Sequence, residues 1–460
     1  MVKIFKNFYK NQDSIALIDN QFGNFKYKDL LYNSDKIKKI IKSNSVALLI
    51  ADNNSEFVAG YVAFLSKKNI ISILVDRSFS IEFILKMINS YKPNYIFTPK
   101  DLVFNKKNYE EIFNFKSYGI FKTKYREHKE LNFKNFLLIS TSGTTASPKF
   151  VRLSKTNLEE NVLKISHHLN IKKNHTTITT MPMGYSYGLS ILNTHLQKGS
   201  KIVINKSTLL EKIFWKKITN YKVNSFGGVP EFYEFLKRID FQKISLSSIK
   251  YLTQAGGRLN EETLRYYGNL CLKKKIKFYV MYGQSEAGPR MTLLDWNMFY
   301  KKINSIGKPL KGCKINLVTK NNKIIKKANK EGEIVFYGKN VSLGYCKNIQ
   351  DLKKGDVNKK ILHTGDIAYR DNENFYYISG RKKRFIKLFG KRLDLKEIES
   401  FLSLRGIKVR CNTNDLKLTL NLYNNFKREK FIKTSLSKYL NINQNYILIK
   451  KNFNKTFKDF

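Results

Sequence analysis

The chain has 460 residues, 42% of them hydrophobic, enough to bury one large core and a small second one, which excludes a disordered protein. Its apolar runs, such as 46–50 and the serine-interrupted 70–75, fall far short of the roughly 18 to 20 residues that span a bilayer. Lys and Arg number 85 against 36 Asp and Glu, a formal charge of +49, yet the lysines are spread along the whole length beside 33 Phe and 27 Tyr, so the charge reads as a solvated surface before it reads as a nucleic-acid site.

In chain order, residues 1–10 interleave lysine with aromatics and offer neither a continuous apolar segment nor a small-residue cleavage site, so a cytoplasmic location is expected. Residues 15–99 alternate short β-rich runs (45–50, 70–75, 95–98) with helical spacing at 56–65 and 81–88, the rhythm of an open, largely parallel α/β sheet. It returns after Phe136, with strands expected at 136–140, 176–181, 201–204 and 277–281 and a helix at 157–169. From 312 to about 378 the runs shorten to 314–319, 333–337 and 374–378 with turns between them, which predicts an antiparallel, β-rich subdomain. The charged, glycine-marked stretch at 379–384 reads as a hinge. The expected organisation is a large α/β domain over 1–380 with its β-rich part at 312–378, a hinge at 381–384, and a small α+β lid over 385–460. Four widely spaced cysteines, Cys271, Cys313, Cys346 and Cys411, form no metal-binding or redox pair and are expected to be reduced and structural.

The strongest chemical signal is LISTSGTTASPK at 138–149, a β run opening into a hydroxyl-rich loop that ends on Lys149. Hydroxyls and free backbone N–H groups can wrap phosphate oxygens, Gly143 permits the tight path, and Lys149 adds a compact charge. It is not the P-loop pattern, because no glycine precedes the lysine and no Ser or Thr follows it. The segment resembles the phosphate-loop signature of the adenylate-forming superfamily, which includes acyl-CoA synthetases, luciferases and the adenylation domains of peptide synthetases. The resemblance implies that Thr141, Ser142, Gly143, Thr144, Thr145 and Lys149 hold the triphosphate of ATP.

Four further signatures follow in the family's order and together cover most of the chain. QAGG at 254–257 resembles the loop on which adenine packs, implicating Gly256 and Gly257. YGQSE at 282–286 resembles the segment whose aromatic stacks on adenine and whose acid coordinates magnesium, implying those roles for Tyr282 and Glu286, with Gly283 between them and Ser285 on the adenylate phosphate. Thr141 is the second magnesium ligand expected, and Thr141 and Glu286 join Lys455 as the expected catalytic set. HTGD at 363–366 resembles the ribose-binding turn, so Asp366 is the expected ribose residue and Arg381 the second nucleotide contact. The stretch 380–399 resembles the interdomain segment about which the small domain rotates, one face adenylating and the other, with Lys387 and Gly390, presenting the thiol.

The sequence departs from the family at several points. Ala146 and Phe150 stand where glycines are usual, and Arg384 holds the hinge position commonly given to aspartate. FNKTFKDF at 453–460 is only a loose counterpart of the C-terminal lysine motif, so Lys455 is assigned with Lys451 and Lys458 as alternatives. Tyr185 replaces a frequent histidine in MPMGYSYGLS at 181–190, a variant similar to enzymes of surface-polysaccharide clusters and carrier-protein loading; Tyr185, Gly228 and Val229 are the expected acyl-pocket residues.

The function implied is ATP- and magnesium-dependent activation of a small carboxylic acid to an acyl-adenylate, followed by transfer to the thiol of coenzyme A or of carrier-bound phosphopantetheine. An acidic acyl carrier protein is a possible partner by charge, no specific nucleic acid is expected, and no transmembrane segment is expected. The competing readings are a catalytically weakened nucleotide-binding relative with a regulatory role, and a polyanion-binding protein that uses its charge alone.

Overall fold

Strands Ser45–Ala51 and Ile70–Asp76 are buried along their whole length and pair in parallel register. Their alternation explains the continuous apolar runs. Val46, Leu48 and Ile50 pack with Ile84, Met87 and Ile88 of helix Ile81–Tyr91, whereas Ala47, Leu49 and Ala51 face Phe57, Tyr61 and Phe64 of helix Ser55–Ser66. A parallel sheet covered on both faces needs apolar residues at both phases of the pleat. Asn54 starts the first helix by accepting from the backbone N–H groups of Glu56 and Phe57, and Ser80 starts the second by accepting from Phe83. The structure, a computed structural model, describes residues 2–102, 109–141, 149–239, 241, 244, 246–382, 385–388, 391–414, 417–423 and 429–451.

These strands belong to an eight-stranded sheet in the order Gly344–Cys346, Phe150–Leu153, Leu137–Ser140, Ile70–Asp76, Ser45–Ala51, Tyr95–Pro99, Tyr118–Lys122, Glu110–Asn114. A nine-stranded sheet runs Lys308–Pro309, Thr292–Leu294, Lys277–Tyr282, Tyr251–Gln254, Ser225–Gly228, Thr176–Ile178, Lys201–Val203, Ile15–Ile18, Phe25–Lys26. Both have a parallel centre and antiparallel edges, so the largely parallel expectation holds for their middles. Strands Lys314–Val318, Gly332–Tyr337, Ile361–Arg370 and Tyr376–Arg381 form the antiparallel, β-rich sheet. Residues from Leu393 onward build a core of their own around Ile398, Leu420, Ile432 and Leu436. It joins helices Leu395–Ser403 and Glu429–Leu440 to a three-stranded sheet.

Two readings of the sequence need correction. The strand expected over 176–181 ends at Ile178; beyond it Thr180 bonds sideways to the Gly227 carbonyl, and Pro182, which has no N–H, cannot extend a ladder. The stretch at 379–384 is not a linker from its start. Ser379, Gly380 and Arg381 are the end of strand Tyr376–Arg381, with Arg381 opposite Asp366, and Lys382 is tied down through its N–H to the Gly365 carbonyl at 2.8 Å and its ammonium to Glu333 at 2.5 Å. Arg384 lies outside the described residues. No described helix is long and apolar enough to cross a membrane, and all four cysteines are free.

Candidate active site

The strongest motif begins on one of two paired strands and ends just before the start of the other. Strands Leu137–Ser140 and Phe150–Leu153 are antiparallel, with Ser140 opposite Phe150, and the N–H and hydroxyl of Thr141 each donate to the Lys149 carbonyl at 3.1 Å. Thr141 and Lys149 thus close the mouth of the segment between them. Ser142, Gly143, Thr144, Thr145 and Ala146 lie outside the described residues. The Lys149 ammonium stands 5.8 Å from the ring centre of Tyr345, whose hydroxyl donates to Glu286 at 2.8 Å. Tyr345 therefore couples Lys149 to the carboxylate of the YGQSE segment, a link no sequence motif announced.

The carboxyl ends of the parallel strands supply the next group. Strand Tyr251–Gln254 ends at QAGG and strand Lys277–Tyr282 ends at Tyr282, the edge at which open α/β sheets take their ligands. A cleft of about 360 Å³ there is lined by Gln254, Gly256, Gly257, Tyr282, Asp366 and Arg381 among others. Gly256 turns the chain at φ +89°, a left-handed conformation that side chains disfavour. Gly283 admits no Cβ for another reason, since one would lie 1.8 Å from the Pro289 carbonyl oxygen.

Asp366 is the hub of the cleft. Only 2% exposed, its carboxylate accepts from the Tyr282 hydroxyl at 2.6 Å, from Gln284 Nε2 at 2.8 Å and from both Nε and a terminal nitrogen of Arg381. Burial, reinforced by this carboxylate, holds the Tyr282 phenol protonated well above its ordinary pKa. Gln284 was not anticipated, although it lies within the motif.

A second cavity, about 120 Å³, adjoins the first. Thr141, Tyr185, Val229, Ser285, Glu286 and Arg290 are among its lining residues, and the hydroxyls of Ser186 and Ser285, also in its wall, hydrogen-bond at 3.0 Å. Burial pushes the Tyr185 phenol up to about 12. Gly228 does not line it: a Cβ at that position would run into the Phe232 ring at 2.3 Å, so this glycine packs behind the wall. Glu286 is 5% exposed, and no group of three or more His, Cys, Asp or Glu side chains gathers among the described residues. Glu286 and Thr141 line the same cavity and would offer a magnesium ion the oxygen donors that it prefers.

The model of the AMP-binding enzyme family matches residues 4–346. The chain belongs to the AMP-binding enzyme family. Curated relatives include the 2-succinylbenzoate–CoA ligase of Bacillus cytotoxicus, 29% identical over 269 residues, covering 58% of this chain and 53% of that protein. That of Bacillus cereus is 29% identical over 266 residues with the same coverage. The chain thus spans about half the length of the curated relatives it matches. Among solved structures, o-succinylbenzoate CoA synthetase (MenE) from Bacillus subtilis, bound with its product analogue OSB-NCoA, superposes with a TM-score of 0.77 at 20% identity, covering 100% of this chain and 96% of that one. IdnL1 superposes with a TM-score of 0.82 at 14% identity, covering 98% and 96%. This AMP-binding enzyme therefore shares the fold of both over nearly its whole length.

The expected site positions beyond Arg381 are likewise not placed at the clefts by the described residues of this AMP-binding enzyme. Lys455 and Gly390 lie outside the described residues, as do the alternative Lys458 and the side chain of Lys451. Lys387 sits in strand Phe385–Leu388, opposite Arg392, with its backbone alone described.

Proposed function

We propose that this chain is an AMP-forming acid–thiol ligase. It joins a carboxylic acid to the α-phosphorus of ATP as an acyl-adenylate, releases pyrophosphate, and passes the acyl group to the thiol of coenzyme A. The observation that carries this reading is the junction of the two cavities: Gly256, Gly283 and Arg381 line both. An adenosine in the larger cleft would point its α-phosphate at that junction, and an acid in the smaller one would meet it there.

The residues then divide the work. Tyr282 and the Gly256–Gly257 turn face the adenine, Asp366 exchanges a protein donor for the ribose hydroxyls, and the 141–149 segment follows the triphosphate. A carboxylate oxygen attacks the α-phosphorus as the bond to the β-phosphate oxygen breaks, so alignment and charge offset carry most of the catalysis. Arg381, Lys149 and Ser285 place positive charge or a donor beside the developing negative charge. Magnesium, held by Glu286 and Thr141 with phosphate oxygens, would supply further charge neutralisation. In the second half-reaction the thiol sulfur attacks the acyl carbon, the thiol proton passes to solvent, and AMP leaves. Residues 385–460 are proposed as the lid, the expected 381–384 hinge turning beyond the anchored Arg381 and Lys382 to bring Lys455 to the adenylating centre in one position and the Lys387–Gly390 face in the other. The names of the relatives support coenzyme A as acceptor; carrier-bound phosphopantetheine is the alternative that the positive surface leaves open.

The test is exchange of labelled pyrophosphate into ATP across a panel of fatty, hydroxy, aryl, oxo and amino acids. Acid-dependent exchange is expected for at least one class. No exchange with any acid, in a protein shown to bind ATP with magnesium, would favour the catalytically weakened relative instead.

A further inference from the structure

The acid cavity contains a charge that nothing in the described protein answers. Arg290 is 2% exposed and lines this cavity between Pro289 and the Tyr187 side. Its guanidinium carbon lies 4.9 Å from the centre of the Tyr187 ring, and its Nε is buried without a hydrogen-bond partner. No carboxylate pairs with it among the described residues: burial pushes its pKa down, and the groups acting the other way are the phenols of Tyr187 and Tyr251. Those phenols are themselves committed, Tyr187 to Thr253 and Tyr251 to His195. A π face attracts a cation but accepts none of its five N–H donors in the way an oxygen does.

A buried guanidinium is costly unless it is paired, and this one borders the space where the acid sits. We propose that Arg290 binds a second carboxylate of the substrate, so that the acid activated here is a short dicarboxylic acid. Its reacting carboxylate lies toward Ser285 and Arg381, and the other is held by the guanidinium fork, the geometry in which arginine recognises carboxylates best. The cavity's modest volume, about 120 Å³, favours a compact acid. The inference rests on the adenylating reading of the adjoining cleft.

Pyrophosphate exchange with succinate, glutarate and 2-oxoglutarate, each against the monocarboxylate of equal chain length, tests it. The parallel measurement is calorimetric titration of the same acids in wild type, Arg290→Met and Arg290→Lys, with ATP binding as the control for folding. At least one dicarboxylate should exceed its monocarboxylate partner by about 100-fold or more in kcat/KM. The ratio should fall towards one in Arg290→Met and be partly kept in Arg290→Lys. A wild type that prefers monocarboxylates overturns the proposal, as does equal loss of both classes in Arg290→Met, which would put the guanidinium on the reacting carboxylate. If no acid exchanges, titration still decides. Dicarboxylate binding that disappears in Arg290→Met supports the anion site while the adenylating reading fails; no binding to wild type overturns both.

Discussion

At Asp366 two carboxylate oxygens receive donors from Tyr282, Gln284 and Arg381. If the proposed ribose site is right, binding there would be an exchange rather than a capture, which lowers the net gain from hydrogen bonds to a charged group, each worth about 1.5 to 3 kcal/mol when made afresh. Asp366→Ala is expected to weaken ATP affinity by roughly 10- to 100-fold, measured by calorimetry with magnesium present, and an unchanged affinity would remove the ribose assignment. At this scale the sequence was informative where one residue type carries one role within a motif: Tyr282, Asp366 and Arg381 do converge on one cleft. It was silent where the partner comes from a distant strand. Tyr345 reaches Glu286 because Gly344–Cys346 pairs with strand Phe150–Leu153, which follows Lys149. Arg152 secures that pairing by donating to the carbonyls of Leu343, Tyr345 and Lys354 and to Asn135.

Among the elements, helix Ser186–Lys198 shows what periodicity misses. Every residue from Tyr187 to Leu196 is buried, so the helix has no polar face and presents no amphipathic stripe to read, although Gly199 at φ +71° marks its end. Within it His195 is held as one neutral tautomer, its Nδ1–H donating to the Ile191 carbonyl at 2.8 Å and its Nε2 accepting from Tyr251 at 3.3 Å. Burial lowers its pKa to about 3, and buried His175 is lowered to about 4 by the same cause. Between those values and the unfolded value near 6.5 the unfolded chain binds more protons, so stability falls as pH drops below about 6.5. His195 alone should contribute a slope of about 1.4 kcal/mol per pH unit in that window. Urea unfolding at pH 7 and pH 4.5 measures it: His195→Gln should flatten the difference, and an unaltered difference would show that this histidine does not stay neutral.

Across the whole molecule, the α/β alternation and the β-rich sheet were legible, because each follows from local periodicity and turn placement. The mixed edges of the two large sheets were not, since a strand's direction depends on partners far away in sequence. The charge of +49 belongs to this scale as well. It should raise the on-rate of anionic acceptors, coenzyme A included, more than their final affinity, and the gain should fade as salt shortens the Debye length towards about 3 Å near 1 M. The central claim is that the two adjoining cavities unite a carboxylate with the α-phosphorus of ATP. It is tested most directly by running the complete reaction with an acid whose carboxylate carries oxygen-18, then analysing the phosphorus products by mass spectrometry. One labelled oxygen should appear in AMP, carried over when the thiol cleaves the acyl–oxygen bond. Label in inorganic phosphate with ADP as the nucleotide product, or unlabelled AMP, would contradict the account.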